Sequence, residues 1–119
     1  MTRTALVTGG GTGIGFACAA ALLADGAAVT ICGRTEDTLK QAVDRLGPGA
    51  SYVVADVTNE KSVAAAVEVA SKGGSLHTVV ANAGGGGMLG PTHTQDLAEF
   101  SRVLHLNVLG TMLLAKHAL

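Results

Sequence analysis

Short apolar runs alternate with longer, mixed stretches along this chain. Each apolar run is about as long as one buried β-strand, and these runs lie at residues 4–7, 29–32, 52–55 and 78–81. The intervening stretches have the length and composition of helices, and they lie at residues 13–24, 35–46, 60–71 and 95–119. This alternation predicts an α/β fold in which helices cover both faces of a parallel sheet.

Turn and capping residues mark the ends of the predicted helices. Gly26 is placed to terminate the first helix, and Thr35 can cap the N-terminus of the second. The second and third helices run into Gly-Pro and Gly-Gly breaks at residues 47–48 and 73–74. A glycine-rich loop at residues 84–90 then leads into the last helix. Connections this short are typical of a compact parallel sheet.

Composition and charge exclude several classes of function. The chain has 119 residues, of which 48% are hydrophobic and 14% charged, and its net charge is −1. This length holds at most one domain, and the charge provides no basic surface for nucleic acid or an anionic membrane. An uncharged stretch at residues 4–24 superficially resembles a signal peptide or a short membrane span. Glycines interrupt it, so we do not expect it to enter a bilayer.

The cysteines and histidines predict neither a disulfide nor a metal site. Cys18 and Cys32 do not make a disulfide framework, and we expect two small buried hydrophobic residues in a reducing environment. The four histidines show no metal-ligand spacing. We therefore expect a soluble cytoplasmic protein that binds no metal.

The strongest chemical signal is the sequence TGGGTGIG at residues 8–15, which follows the first strand and opens the first helix. The N-terminus of a helix presents unpaired N–H groups and a partial positive charge, so it attracts a pyrophosphate. Glycine lets phosphate oxygens approach the backbone because it has no Cβ. A simple strand-to-helix turn would not need glycine at positions 9, 13 and 15. The loop therefore predicts a dinucleotide site.

A second glycine pattern carries less weight. Gly85, Gly87 and Gly90 match the general dinucleotide fingerprint Gly-x-Gly-x-x-Gly, whereas the loop at residues 8–15 has the spacing Gly-x3-Gly-x-Gly. The literal match lies after the fourth predicted strand, and Pro91 stands directly behind it. We interpret this match as a consequence of a glycine-rich loop.

Four motifs in register resemble the short-chain dehydrogenase/reductase family. Residues 8–15 resemble its TGxxxGxG cofactor loop, and residues 56–57 resemble the acidic position after strand three that binds adenine. Residues 82–84 resemble its NNAG motif, with Ala81 in place of the first Asn. Asn107 resembles the Asn of its Asn-Ser-Tyr-Lys catalytic group. The glycine spacing is that of the main type of the family and differs from that of its epimerase-like branch.

The resemblance implies a Rossmann-type fold, of which this chain holds the first βαβαβαβα portion. It implies one catalytic residue here, Asn107, with a local helix irregularity and a water held for a catalytic lysine. From the residues alone other roles stay open: Asp56 as a turn or capping aspartate, and Asn82 and Asn107 as ordinary bonded amides. The expected cofactor-binding residues are Gly9, Thr12, Gly13, Ile14, Gly15, Arg34, Thr35, Asp56, Val57, Asn82, Ala83 and Gly84.

The end of the second strand decides the expected cofactor. NAD sites usually place an acidic residue there for the ribose 2′-hydroxyl, whereas an arginine suits the 2′-phosphate of NADP. Here Gly33 is followed by Arg34, whose fork of donors matches phosphate oxygens, and Thr35 can add a hydroxyl. Glu36 and Asp37 argue for NAD, but helix capping accounts for them. We expect NADP, with NAD the less favoured alternative.

The family's catalytic Tyr-x3-Lys pair does not occur in this sequence. The one tyrosine, Tyr52, has Asp56 four residues later and lies in the third predicted strand. Because a Rossmann domain has two βαβαβ halves, we expect residues 1–119 to be a truncated NAD(P)-binding portion of a longer enzyme. This would leave the fourth strand with an unpaired edge and the apolar helix at residues 100–119 without cover.

We therefore expect the parent protein to be an NADP-dependent carbonyl reductase or alcohol dehydrogenase with a small-molecule substrate. We also expect a homo-oligomer, because the resemblance implies an interface on the helix that ends in the sequence MLLA at residues 112–115. The alternative is a non-catalytic nucleotide-binding or interaction module that is complete at this length.

Overall fold

The strands form one parallel sheet in a computed structural model that describes residues 2–72, 74–86 and 90–119. In chain order the strands are β1 (Thr4–Thr8), β2 (Ala28–Gly33), β3 (Ala50–Val54) and β4 (Thr78–Val80). Their order across the sheet is β3-β2-β1-β4, and every neighbouring pair is parallel. The chain therefore reverses its direction across the sheet after β3, which leaves a crevice between the ends of β1 and β4.

Helices cover both faces of this sheet, as the sequence predicts. In chain order they are α1 (Gly13–Ala24), α2 (Glu36–Leu46), α3 (Glu60–Ala70), α4 (Leu97–Leu104) and α5 (Gly110–Ala118). Helices α1 and α2 pack on one face, and α3 and α5 pack on the other. One π-helical turn (His105–Leu109) joins α4 to α5.

The core follows the two-residue period of the strands. Val7 and Ile31 point to the face covered by α1 and α2, whereas Leu6 and Cys32 point to the face covered by α3 and α5. All four side chains are at most 1% exposed. Strands that are buried on both faces explain why the sequence shows continuous apolar runs instead of an alternating pattern.

The predicted boundaries of the first helices hold, but one cap differs. Helix α1 ends where expected, and Gly26 follows it with a φ of 91°. Thr35 occupies the N-cap position of α2 without making a side-chain cap bond. At α3 the cap is Asn59, whose side chain accepts the Ser62 N–H at 3.0 Å. Of the predicted Gly-Gly break after α3, Gly73 lies outside the described residues.

Two predicted elements need correction. The third strand begins at Ala50 rather than at residue 52, because the polar Ser51 pairs within the sheet and its hydroxyl lies 3.1 Å from that of Thr30. The last helix begins at Leu97 rather than at residue 95. Asp96 caps it by accepting the Glu99 N–H at 3.3 Å. A short 3-10 helix (Thr92–Thr94) precedes it.

One side of the last helices carries large apolar side chains in contact with solvent. We call these residues the apolar stripe, and they are Leu97, Phe100, Leu104, Val108 and Met112. The prediction that the helix lacks cover is wrong for Leu113 and Leu114, because both are buried against the sheet. Strand β4 pairs only with β1 among the described residues. No helix in the described ranges is long and apolar enough to span a membrane.

Candidate functional site

A cavity of about 380 Å³ opens at the carboxyl ends of the strands. This is the edge of an open parallel sheet where ligands bind, beside the point at which the strand order reverses. Most of the residues predicted for the cofactor meet here. The cavity is lined by Gly9, Thr12, Gly13, Ile14, Gly33, Arg34, Ala55, Asp56, Val57, Asn82, Ala83, Gly84 and Leu106.

Steric contacts explain why two positions of the loop after β1 must be glycine. Gly9 has a φ of 64°, and a Cβ on it would lie 2.9 Å from the Asn82 Nδ2. A Cβ on Gly15 would lie 2.5 Å from the same Nδ2 and would also meet the Gly9 carbonyl oxygen. Any larger residue at either position would push the loop away from β4. These glycines therefore let the first turn of α1 pack closely against the β4 loop.

The N-terminus of α1 faces the cavity without a side-chain cap. Thr12 has an extended backbone at the N-cap position, and its hydroxyl makes no cap bond. A Cβ built on Gly13 would meet no atom within 4 Å. The N–H groups of the first turn thus border open space, which fits an anionic group.

Thr8, the last residue of β1, links that strand to the end of β4. Its hydroxyl oxygen accepts the N–H groups of Asn82 and Ala83, each at 3.0 Å, and its hydroxyl lies 3.4 Å from the Val80 carbonyl oxygen. Thr8 is only 3% exposed. The Asn82 amide in turn donates to the Gly9 carbonyl at 3.1 Å. Asn82 therefore braces the two loops, which is one of the roles that the sequence left open for it.

Arg34 borders the main cavity and a second cavity of about 210 Å³ beside it. Thr35 and Thr38 also line the second cavity. The neighbouring acid Glu36 turns elsewhere, since its carboxylate lies 3.7 Å from the Lys40 Nζ and 3.4 Å from the Tyr52 hydroxyl. The end of β2 thus presents one guanidinium and two hydroxyl-bearing side chains.

Asp56 forms a turn, which is one of the roles that the sequence left open for it. Its Oδ1 accepts the Thr58 hydroxyl at 2.6 Å and the Thr58 N–H at 2.9 Å. These two bonds, and to a smaller extent the charge of Arg34, hold the pKa of the Asp56 carboxyl below its usual value. Within the described residues the other carboxylate oxygen makes no hydrogen bond, so the turn leaves an acceptor beside the cavity.

Asn107 lies in the π-helical turn and holds the loop after β4. Its Oδ1 accepts the Gly85 N–H at 3.2 Å, and its Nδ2 donates to the carbonyls of Gly85 at 2.7 Å and Val103 at 2.9 Å. Its own carbonyl accepts the Thr111 hydroxyl at 3.1 Å. The helix irregularity implied by the resemblance is therefore present at this residue.

Three of the predicted residues lie outside the lining of the main cavity. They are Gly15, which supports the loop from behind, Thr35, which borders the second cavity, and Asn107, which braces the β4 loop. Sequence reasoning missed Leu106 as a lining residue and Thr38 beside Arg34. Helical spacing was the available signal for Thr38, which lies one turn after Thr35.

The thiol of Cys32, a residue that borders the second cavity, adds no nucleophile to this site. Burial raises the pKa of the Cys32 thiol to about 11, with the Gly9 N–H acting weakly against it, so the thiol stays neutral. Both cysteines are unpaired. No cluster of His, Cys, Asp or Glu that could hold a metal ion occurs among the residues with described positions.

Comparison with known proteins gives consistent matches over nearly all of the chain. A family model described as short chain dehydrogenase matches residues 3–119. The cis-4-hydroxycyclohexanecarboxylate dehydrogenase of Sinomonas cyclohexanicum is 42% identical over 98% of this chain and 48% of its own length. The L-fucose dehydrogenase of Bos taurus is 37% identical over 98% of this chain and 44% of its own. The chain thus spans about half the length of these relatives.

Solved structures match equally well. A short-chain type dehydrogenase/reductase from Mycobacterium ulcerans is 46% identical, with a TM-score of 0.93 over 98% of this chain and 45% of that one. A 3-ketoacyl-(acyl-carrier-protein) reductase from Brucella melitensis, complexed with NADH, is 35% identical. Its TM-score is 0.90 over 96% of this chain and 48% of that one.

Proposed function

Because this chain belongs to the short-chain dehydrogenase family, we propose that it is the cofactor-binding half of an NADP-dependent oxidoreductase that interconverts carbonyl and alcohol groups. The similar proteins named as dehydrogenases and reductases support the reaction class. The parallel Rossmann-type sheet supports a nicotinamide cofactor. In this proposal the residues 1–119 are the NAD(P)-binding portion of a longer protein.

The open space before α1 fits the pyrophosphate of such a cofactor. We assign its binding to Gly9, Thr12, Gly13 and Ile14, with Gly15 allowing the close packing behind them. Backbone N–H groups and the helix dipole supply the positive potential there, so no lysine or arginine is required.

The two ends of the cofactor would lie on opposite sides of this loop. Asp56 and Val57 would bind the adenine, with the second oxygen of the Asp56 carboxylate as the acceptor. Residues 82–84 would border the nicotinamide half, because they follow β4, which lies on the other side of β1 from β2 and β3. When bound, the nicotinamide would supply the hydride chemistry. The chain's own residues hold, orient and shield it.

The choice of NADP rests on one observation, the position of Arg34 directly after β2. This arginine follows β2, where the ribose of the cofactor would lie, and it borders a second cavity that also touches Thr35 and Thr38. A guanidinium with two hydroxyl groups suits a phosphate monoester. The contrary signal from Glu36 is weakened, because that carboxylate is directed to Lys40 and Tyr52.

Asn107 is the residue of this chain that we place closest to the reacting end. Its side chain fixes Gly85, which directly follows the Asn82–Gly84 segment. We propose that its position in the π-helical turn orients its carbonyl toward a water for the catalytic lysine. The tyrosine and lysine themselves would come from sequence beyond residue 119, since the only tyrosine here lies in β3.

The partners of the full-length protein follow from the same proposal. Its substrate would be a small molecule with a carbonyl or secondary alcohol group, and the apolar stripe would join copies of the chain into a homo-oligomer. The unpaired thiols of Cys18 and Cys32 suit the reducing cytoplasm.

The full-length protein should therefore oxidise NADPH in the presence of a carbonyl compound. A panel of ketones and aldehydes, read by loss of the reduced nicotinamide absorbance, tests this directly.

A Gly15→Val variant should lose at least about 100-fold of this activity, because its side chain must displace the Gly9 carbonyl and the Asn82 amide. Gly74→Val is the control, since a Cβ at Gly74 meets nothing within 4 Å, its φ lies outside the left-handed region, and it lines none of the cavities described above. A protein that binds no nicotinamide dinucleotide would contradict the proposal.

A further inference from the structure

A third cavity of about 270 Å³ continues the main one toward α4. It shares Arg34, Asp56 and Leu106 with the main cavity, so the two volumes border the same side chains. Its remaining lining residues are Thr58, Arg102 and His105. The site described above uses none of these last three directly.

The hydrogen bonds of His105 define which of its ring nitrogens can accept. Its Nδ1 lies 2.8 Å from the Ser101 carbonyl oxygen. A carbonyl can only accept a hydrogen bond, so Nδ1 must carry the proton. In the neutral imidazole the other nitrogen, Nε2, is then an acceptor. The His105 side chain therefore brings one hydrogen-bond acceptor to the wall of this cavity.

Apart from Arg34, which the proposed function assigns to the 2′-phosphate, the other charged or hydroxyl-bearing side chains of the cavity are engaged. Arg102 donates to both carboxylate oxygens of Glu99, at 2.6 and 3.0 Å, so its charge is compensated within α4. Thr58 donates both its N–H and its hydroxyl to Asp56 Oδ1. Among the lining residues, the acceptors without a hydrogen bond in the described part of the chain are consequently the second carboxylate oxygen of Asp56 and Nε2 of His105.

We propose that His105 binds the exocyclic 6-amino group of the cofactor's adenine, together with Asp56. An amino group has two N–H donors, and the two acceptors come from separate elements, the loop after β3 and the π-helical turn. Two acceptors discriminate against a base that presents a carbonyl oxygen at this position. This inference rests on the proposed dinucleotide site, and it adds His105 as a residue that determines specificity for adenine.

The test compares binding of NADPH with binding of its hypoxanthine analogue, in which a carbonyl oxygen replaces the 6-amino group. Equilibrium dissociation constants are measured for the full-length protein by calorimetry. The wild type should prefer the adenine form, and His105→Leu should reduce that preference by about 3- to 10-fold through loss of one hydrogen bond. His105→Gln, which keeps an acceptor, should retain more of the preference than His105→Leu.

His93→Leu serves as the matched control, because His93 is exposed on the 3-10 helix and lines none of these cavities. Its preference should equal that of the wild type. An unchanged preference in His105→Leu would overturn the inference, and so would a Gln variant no better than the Leu variant. A wild type that binds neither dinucleotide would instead refute the proposed function, so the two failures are distinguishable.

Discussion

At the scale of single residues, Thr8 shows how one hydroxyl can shape the site. It is buried, and it satisfies two backbone N–H groups at the point where β4 ends. The sequence alone marks Thr8 as the first residue of the glycine loop but does not show these bonds, because the partners lie about 75 residues away. The structure makes it the link between the glycine loop and residues 82–84.

We predict that Thr8→Val destabilises the protein by about 1–3 kcal/mol, because the isosteric side chain leaves two N–H groups without an acceptor. Thr8→Ser keeps the oxygen and should lose less than half as much. Urea unfolding of the three proteins gives the free energies. Equal stability of the Val variant and the wild type would show that water replaces the hydroxyl.

The Asp56 turn makes a prediction that depends on pH. Its folded pKa is lowered, so the carboxylate stabilises the fold above its unfolded pKa of about 3.9, and this contribution is lost as the pH falls through the folded value. Thr58→Val removes the hydroxyl donor and should cost less than about 1 kcal/mol at pH 7, since solvent screens this group. Thr58→Ser should behave as the wild type. A Val penalty that persists unchanged at about pH 2 would contradict this account.

At the scale of elements, most strands and helices could be predicted from the apolar runs and breaks. The strands β1 and β2 are buried between helices and β4 is partly buried, so their sequences are mostly apolar. The strand β3 lies at the sheet edge, where the exposed and polar Ser51 made the start of the strand unclear. The π-helical turn could not be derived from periodicity, because one extra residue in a turn leaves no mark on so apolar a sequence.

Some features of the candidate site could likewise be predicted from the sequence, and others could not. Glycine spacing predicted the loop at residues 8–15, since its physical requirement is local. The roles of Asp56 and Asn82 were left open because each depends on partners from distant elements. Asp56 forms a turn and still keeps an acceptor, and Asn82 braces the Gly9 loop. Composition could not predict that His105 and Arg102 share a cavity with Arg34.

Asn107 connects the π-helical turn to the β4 loop, and its removal should loosen that loop. In Asn107→Ala the amide of Gly85 loses its acceptor, so its hydrogen exchange should be about 10-fold faster. Asn59→Ala is the matched control, because its side chain caps α3 and it should affect Ser62 instead. Unchanged exchange at Gly85 would mean that Asn107 does not hold the loop.

At the scale of the whole molecule, the two sheet faces are well covered but the apolar stripe is not. Phe100 is 55% exposed and Val108 is 61% exposed, although both are large apolar residues. The relatives are about twice as long as this chain. An exposed stripe of this size promotes association, because each apolar side chain that becomes buried contributes about 1.5–3 kcal/mol.

We therefore predict that the 119-residue chain, expressed alone, self-associates at micromolar concentration. The double variant Phe100→Ser/Val108→Ser should weaken association by at least about 10-fold, as judged by static light scattering. Val69→Ser is the control, because Val69 is also exposed but lies on α3, away from the stripe. A monomeric wild type, or equal association of all three proteins, would contradict the role of the stripe.

The central claim is that Arg34 selects the 2′-phosphate of NADP, and its most direct test is the affinity of the full-length protein for both cofactors. Calorimetry at one fixed salt concentration compares the wild type, Arg34→Ala and the control Arg3→Ala, whose guanidinium pairs with Asp25. Arg34→Ala should weaken NADPH binding about 10- to 150-fold and leave NADH binding nearly unchanged. Equal losses for the two cofactors, or a wild type that binds NADH more tightly, would contradict the account.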